Sequence, residues 1–369
     1  MPYIAMRNVD ELRFRDIRMV NATRRAGELG PPDVRAQIQA ILAMHKDVGL
    51  EPARARPLQN IGVIMAMPDF SPPTPVVQRR VDEFRSGLFL SCLSGNVELT
   101  GPNAGIRVYT AENFDIVSQN FTLGSKGVAE SAGVIVNITV AGYRLDKTTF
   151  PRPSYVNLPQ PFRHEEDVLL GLGWLRRVNR KVYRQVMGAT AVFLESYRNS
   201  PAVDVRARVL LQASAFEILL DLPERQQRKA FKIEIERLTS ETDERKYHYT
   251  FESYGRRVPD TRTLKGIWAD RFYTLRNHII HGAAVRRSEY IFRGTQHHLV
   301  IAPMFFVCCI KRLIDQERSQ RNENQLFFAE LHSGARSPHQ KPRSEDLSEG
   351  RAFAVVTNHV ARWLAKDSE

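Results

Sequence analysis

Residues 268–282 read Trp-Ala-Asp-Arg-Phe-Tyr-Thr-Leu-Arg-Asn-His-Ile-Ile-His-Gly. Four apolar residues in this stretch recur at the three- and four-residue spacing of one helix face: Trp268, Phe272, Leu275 and Ile279. The stretch therefore predicts an amphipathic helix whose apolar stripe is buried against the rest of its own domain. Gly282 readily adopts the left-handed conformation just past a helix end, so we expect the helix to stop there.

Three polar residues of the same stretch lie off the apolar stripe: Arg276, Asn277 and His281. Asn277 and His281 are four residues apart and share a face, which we expect to point away from the core, with Arg276 on the flank. A histidine in the last turn of a helix can accept or donate a proton near neutral pH. These three residues are therefore the candidate catalytic group.

The pattern Arg276-Asn277-x-x-x-His281-Gly282 resembles the signature of the HEPN superfamily, and its particular form resembles the Apea-like branch. The resemblance covers only the C-terminal half of the chain. It implies a helical endoribonuclease domain that uses no metal and no other cofactor. In that chemistry the ribose 2′-OH attacks the adjacent phosphorus. By resemblance, His281 shuttles the proton, Arg276 binds the phosphate oxygens, and Asn277 positions His281 or a phosphate.

Spacing alone carries little weight, because Arg293 and His298 stand at the same spacing in a predicted turn. Segment Leu210–Leu220 also resembles, loosely, a helix found in many HEPN domains. In that family two motif helices build one composite cleft, so a chain with one motif implies a homodimer. Other interpretations stay open: an incidental helix end, a non-catalytic HEPN-like module that binds RNA or nucleotide or mediates dimerisation, and a chain whose N-terminal domain is the functional part.

The charge of the chain favours a polyanionic partner. The 369 residues carry a formal net charge of +12, and roughly +9 of it lies between residues 161 and 325. Such an excess is consistent with RNA, although solvated surfaces of soluble proteins carry similar excesses. Aromatic residues alternate with cations in the polar stretch Thr239–Thr261, expected to be a loop. Five of these residues could clamp single-stranded RNA: Arg245, Lys246, Tyr247, Arg256 and Arg257. The alternative is a basic loop with tyrosines packed under it.

Several functional classes are disfavoured by composition. No run of 18 or more apolar residues occurs, and the N-terminus lacks the layout of a secretory signal, so we expect a cytoplasmic protein with no membrane partner. Cys92, Cys308 and Cys309 are too few for a disulfide framework, and no Cys/His spacing resembles a zinc site. We expect Cys308 and Cys309 to pack in the core.

The predicted fold class is α+β, in three parts. Residues 1–157 are expected to form a strand-rich α+β domain with a sensor or regulatory role, residues 158–325 an all-α HEPN-like bundle, and residues 326–369 a mobile loop and a C-terminal helix. A bacterial anti-phage role is inherited from the Apea-like resemblance. It implies a toxin-like effector, with a phage-derived molecule or another protein acting as trigger at the N-terminal domain.

The periodicity also predicts individual elements. Expected strands are Gly87–Leu93, Gly105–Tyr109, Gly133–Val140 and Tyr143–Thr149. Expected helices are Asp33–Leu50, Glu166–Val178, Arg180–Arg198, Asp204–Leu222, Glu224–Arg237, His297–Glu317 and Ala352–Ala365, the last preceded by a loop at His332–Gly350.

Overall fold

A computed structural model describes nine longer stretches of the chain: residues 4–32, 56–65, 74–95, 110–116, 163–198, 200–239, 246–253, 256–292 and 296–321. It also describes shorter pieces, at residues 35–36, 39, 42, 46–47, 120–123, 129–132, 138–140, 143–145, 155–156 and 160–161. Helices and small, mostly antiparallel sheets make up these residues, which confirms the predicted α+β class. Contacts divide the chain into two units: Met1–Arg85 with Tyr109–Arg163, and Ser86–Val108 with His164–Glu369.

The first unit contains five small sheets among the described residues. Its central sheet is antiparallel and runs β2-β3-β6, with strands Glu11–Phe14, Ile17–Asn21 and Gly62–Met65. A second sheet joins β4 (Lys46–Asp47), β5 (Arg56–Pro57) and β11 (Tyr155–Val156), while β1 (Ile4–Ala5) lies parallel to β12 (Gln160–Pro161). Two antiparallel hairpins complete the unit. One joins β7 (Asn120–Leu123) to β8 (Ala129–Ala132), and the other joins β9 (Ile138–Val140) to β10 (Tyr143–Leu145).

Helix α1 spans Pro75–Gly95, so the predicted strand Gly87–Leu93 is wrong. The segment is apolar except for Ser91, and periodicity cannot distinguish a buried strand from a buried helix in such a short apolar run. Phe84, Leu88 and Cys92, spaced four apart, are fully buried, as expected for one helix face.

Among the described residues, the second unit contains the C-terminal part of α1 and six further helices. They are α2 (Glu166–Val178), α3 (Arg180–Glu195), α4 (Val205–Leu219), α5 (Gln227–Leu238), α6 (Leu264–Ile280) and α7 (His298–Arg321). Side-chain caps fix three of their starts: Asn179 accepts from the Val182 amide at 3.2 Å, Asp204 from Ala207 at 2.8 Å and Thr263 from Gly266 at 3.2 Å. The bounds differ from the predicted ones by a few residues at the ends, where capping decides them.

Aromatic side chains form the core around α6. Trp268 stacks on Phe305 with ring centroids 4.3 Å apart and on Phe272 at 5.1 Å, and Phe216 contacts both Trp268 and Phe272 at 6.2 Å. Each of these large side chains, when fully buried, contributes roughly 1.5–3 kcal/mol of transfer free energy. The predicted apolar stripe is confirmed at Trp268, Phe272 and Leu275, which are at most 2% exposed.

A hairpin replaces the loop expected at Thr239–Thr261. Strand β13 (Lys246–Ser253) pairs antiparallel with β14 (Arg256–Thr263) over eight residue pairs. The segment reads Lys-Tyr-His-Tyr-Thr-Phe-Glu-Ser, and its aromatic residues at every second position are typical of a strand. Beyond it, β15 (Ile291–Phe292) pairs with β16 (Gln296–His297).

Other predictions fall on residues outside the described part. These are the strand Gly105–Tyr109, the loop His332–Gly350 and the helix Ala352–Ala365, together with much of the helix Asp33–Leu50. The predicted C-terminal end of the helix Asp33–Leu50 is wrong, because Lys46–Asp47 is a strand. Cys92, Cys308 and Cys309 are buried and form no disulfide bond among the described residues, and the burial of Cys308 and Cys309 confirms the expected core packing. Across the described residues, every helix is too short or too polar to traverse a bilayer.

Candidate active site

The C-terminus of α6 ends in a Schellman motif. The amide of Ala283 donates to the His278 carbonyl at 2.9 Å and the amide of Gly282 to the Ile279 carbonyl at 3.2 Å. Gly282 has φ +69°, the left-handed conformation that its sequence position predicts. His281 is therefore fixed as the last residue before the chain reverses, and its backbone amide still bonds to Asn277 at 3.0 Å.

Arg276 is more enclosed than its predicted flank position suggests. Its Nη2 lies 2.8 Å from Glu217 Oε1, and both side chains keep 18% of their surface exposed. The guanidinium carbon sits 5.1 Å from the ring centroid of Tyr273, within the range of a cation–π contact. Arg276, predicted on the flank of α6, thus contacts a neighbouring helix, because α4 supplies a carboxylate for it.

Glu217 and Tyr273 belong to this site although the sequence did not reveal them as functional residues. The Tyr273 hydroxyl donates to Glu217 Oε1 at 2.6 Å and lies 2.8 Å from Gln227 Oε1. Burial, and then the hydrogen bond to Glu217, raise the pKa of Tyr273 above its ordinary value. One signal was present in the sequence: Glu217 is the single charged residue in the helical segment Leu210–Leu220.

Asn277 and His281 lie on the accessible side of α6, as predicted. Asn277 Oδ1 accepts a hydrogen bond from Arg276 Nη1 at 3.1 Å, which joins two of the three candidate catalytic residues. His281 is exposed, and its neighbour Ile280 keeps 49% of its surface exposed. The helix end thus presents an imidazole and an apolar side chain to solvent, beside an arginine that is held in place.

A buried charge cluster anchors α6 to α5 and to the hairpin. Arg228 donates to both carboxylate oxygens of Asp270, at 2.9 and 2.8 Å, and Lys232 lies 3.2 Å from Asp260 and 3.7 Å from Asp270. Asp270 is 1% exposed and Lys232 6%, so each charge depends on its partner. The bidentate geometry fixes the rotation of α6 and with it the direction of Arg276 and His281.

The five predicted RNA-binding residues are only partly described. Lys246 is exposed at the base of the hairpin, while Tyr247 is half-buried and shares its strand face with Tyr249, which is 8% exposed. Arg256 and Arg257 begin β14, but their side chains, and all of Arg245, lie outside the described residues. Of the two described side chains of the predicted clamp, Lys246 is exposed and Tyr247 is partly buried.

No three His, Cys, Asp or Glu side chains of the described residues come together in a way that could hold a metal ion. Searches of protein-family models, curated proteins and solved structures find no match to this chain, so the HEPN resemblance stays a prediction carried by residues 276–282.

Proposed function

We propose that this protein is a metal-independent endoribonuclease of the HEPN type, acting as a homodimer with a composite Arg/His active site. In this proposal a strand-rich N-terminal domain precedes a HEPN-like helical bundle, and the β13–β14 hairpin interrupts the expected all-α pattern of that bundle. The observation that carries the proposal is the end of α6. There Arg276, Asn277 and His281 occupy one capped helix terminus, with His281 and Ile280 exposed and Arg276 held by Glu217.

The reaction needs a proton acceptor, a proton donor and charge stabilisation. The 2′-oxygen of the ribose bonds to the adjacent phosphorus as its proton passes to one His281. The bond from phosphorus to the 5′-oxygen breaks, and that oxygen takes a proton from the second copy of His281 in the dimer. The products are a 2′,3′-cyclic phosphate and a free 5′-hydroxyl.

Arg276 stabilises the charge that develops on the phosphate. A guanidinium has five N–H donors, and the contacts with Glu217 and Asn277 engage two of its nitrogens. The ion pair therefore orients the fork and leaves donors for a phosphate oxygen. Asn277, bonded to Arg276, positions the phosphate or His281.

The remaining parts of the proposal follow from the resemblance. The protein acts in the cytoplasm as a toxin-like effector in anti-phage defence. Residues 1–157 serve as the sensor for a phage-derived molecule or another protein. Lys246 and its neighbours on the hairpin contribute RNA contacts.

A second candidate is a non-catalytic HEPN-like module that binds RNA or nucleotide or mediates dimerisation. One observation favours it: Arg276 already has a carboxylate partner, so its presence also has a purely structural explanation. A module of this kind needs the exposed face of α6 but not the imidazole of His281.

The deciding experiment incubates purified protein with total RNA in EDTA and compares the wild type with His281→Ala. Under the ribonuclease proposal cleavage persists in chelator, leaves 2′,3′-cyclic phosphate ends, and falls at least about a hundredfold in the variant. The matched charge control is Arg206→Ala on α4, an exposed arginine outside the site, paired with Arg276→Ala.

Three outcomes contradict the proposal. Magnesium-dependent cleavage would indicate another nuclease class. Full activity in both His281→Ala and Arg276→Ala would leave α6 as an ordinary helix end. A wild type that dimerises through α6 but cleaves no RNA would identify the second candidate.

A further inference from the structure

A cavity of about 730 Å³ opens along a different face of α6. Ile267, Arg271, Thr274 and His278 follow one another at spacings of four, three and four residues and form one wall. The chain from Ala283 to Phe292, which leads out of the Schellman motif, contributes further lining residues. The volume is within the range of small-molecule pockets.

The cavity ends beside the candidate catalytic histidine. His278 lines the cavity and precedes His281 by three residues, which makes the two side chains neighbours on the helix surface. Ala283 and Ala284, directly after Gly282, also line it. A group bound in the cavity would therefore lie next to whatever His281 contacts.

A buried histidine with an unmet hydrogen bond lines the same cavity. His298 is 1% exposed, and its Nδ1 has no hydrogen-bond partner among the residues that the structure describes. Burial lowers the pKa of His298 to about 3, with smaller contributions from His297 and Arg271, so the ring is neutral at physiological pH. An unpaired buried polar group is costly, and a ligand that pairs with the imidazole would remove that cost.

The charges around the cavity separate into a compensated interior and a basic rim. The buried carboxylate of Asp270 is matched by Arg228, and Glu289 is bonded to His278 at 2.8 Å. Arg271 and Arg286 are exposed at the cavity. Such a site suits a neutral, partly apolar ring that enters, with a phosphate left outside near the arginines.

We propose that this cavity, named here the His298 pocket, binds one unstacked base of the RNA strand next to the scissile phosphate. The inference rests on the proposed ribonuclease function. A base supplies a flat apolar face for Ile291 and Phe292 and an edge of donors and acceptors for His298. Its own phosphates reach Arg271 and Arg286. The pocket therefore gives the nuclease a preference for one base beside the cleavage site.

The test measures binding of 2′-O-methyl RNA octamers, which lack the attacking hydroxyl and cannot be cleaved. Oligo(A), oligo(C), oligo(U) and an oligo(U) with a central guanosine are compared by fluorescence anisotropy on the full chain. We expect the wild type to bind one of them at least tenfold more tightly than the weakest. His298→Phe, which keeps a ring but removes both nitrogens, is expected to reduce the ratio to less than threefold.

A second variant tests the pocket independently, in case His298→Phe fails to fold. Ala284→Trp fills the pocket from an exposed position and should abolish the preference in the same way. Ala202→Trp, an exposed alanine in the turn before α4, is the matched control and should retain it. A wild type that binds all octamers equally, or an Ala284→Trp protein that keeps the wild-type ratio, overturns the proposal.

Two further results separate this inference from the ribonuclease proposal. If the wild type cleaves RNA without any base preference, the proposed base-binding role of the His298 pocket is wrong and the ribonuclease proposal stands. If the protein binds one base selectively but cleaves no RNA, the ribonuclease proposal is wrong and the base-binding role stands. Nucleoside 5′-monophosphates form the last arm. If one of them binds through His298 while no octamer does, the site takes a free nucleotide and the RNA version is wrong.

Discussion

Arg276 on α6 and Glu217 on α4 form an ion pair at 2.8 Å in which each side chain keeps 18% of its surface exposed. The two residues are far apart in sequence, and the pair ties the end of the candidate catalytic helix to its neighbour. A residue assigned to phosphate binding therefore also stabilises the fold, so its loss should be visible in unfolding as well as in activity.

The first prediction measures this contribution. Arg276→Ala should lower the free energy of unfolding by roughly 1–3 kcal/mol, because the Glu217 carboxylate then loses its charged partner. Glu217→Ala should cost a similar amount, and the double variant less than the sum, with a coupling of about 0.5–3 kcal/mol. Urea unfolding measures all three. Arg206→Ala should stay within about 0.5 kcal/mol, and additive single effects would show that the pair contributes nothing.

Oligomeric state is the subject of the second prediction. Ile280 is 49% exposed beside His281, and we expect a partner α6 to cover it in a homodimer. Ile280→Glu should convert the dimer to a monomer at micromolar concentrations without lowering monomer stability by more than about 0.5 kcal/mol. Ile233→Glu is the matched control, since Ile233 is 43% exposed on α5. Light scattering that finds a monomeric wild type, or an Ile280→Glu dimer, contradicts the expected interface.

The third prediction concerns pH. The pKa of His298 is lowered to about 3 from an ordinary value of 6.5, so below pH 6.5 the unfolded chain binds a proton that the folded protein does not. This histidine therefore makes the free energy of unfolding fall as the pH drops from 6.5 towards 3, by about 1.4 kcal/mol per pH unit. His298→Phe should show a shallower acid slope by that amount in urea titrations between pH 6.5 and 4.5. Identical slopes would mean that His298 titrates normally in the folded state.

Two helical glycines supply the fourth prediction. A Cβ on Gly266 would overlap the carboxyl group of Glu236, which accepts a 2.6 Å hydrogen bond from the Thr263 hydroxyl at the start of α6. Gly266→Ala should therefore destabilise the protein by roughly 1–3 kcal/mol. Gly173 in α2 has no atom within 4 Å of its added Cβ, so Gly173→Ala should stabilise by about 0.5–1 kcal/mol. Thermal unfolding compares the two, and a shift of the same sign in both would refute the steric explanation.

Local patterns in the sequence predicted the helix of the candidate site well. The stripe of Trp268, Phe272 and Leu275 and the stop at Gly282 depend on residues close together in the chain, and the buried core and the left-handed glycine confirm them. Strand β13 (Lys246–Ser253) was predicted as a loop, because the many polar residues of this stretch were given more weight than the alternation of its aromatic residues. At Gly87–Leu93 an apolar run without alternation carried no information about its period.

Partners that lie far apart in sequence could not be inferred from one chain. The Glu217 carboxylate meets Arg276 only because α4 packs beside α6, and the cavity exists only because the segment after Gly282 folds back over the helix. His298 illustrates the limit. In the sequence it looked like a chance repeat of the arginine–histidine spacing, and its burial against Trp268 and Phe272 is set by the packing of α7.

The parallel pairing of β1 with β12 has a consequence for the order of events during synthesis. Ile4 pairs with Gln160 and Ala5 with Pro161, so the first strand meets its partner only after about 155 further residues have been made. At about 5–20 residues per second, the edge of that strand that faces β12 waits for roughly 8–30 s without its partner, whereas Ala5 can pair with Ile61 much earlier. The first unit therefore cannot close as its leading residues emerge, and chaperones that shield an exposed strand edge should matter most for nascent chains shorter than residue 160.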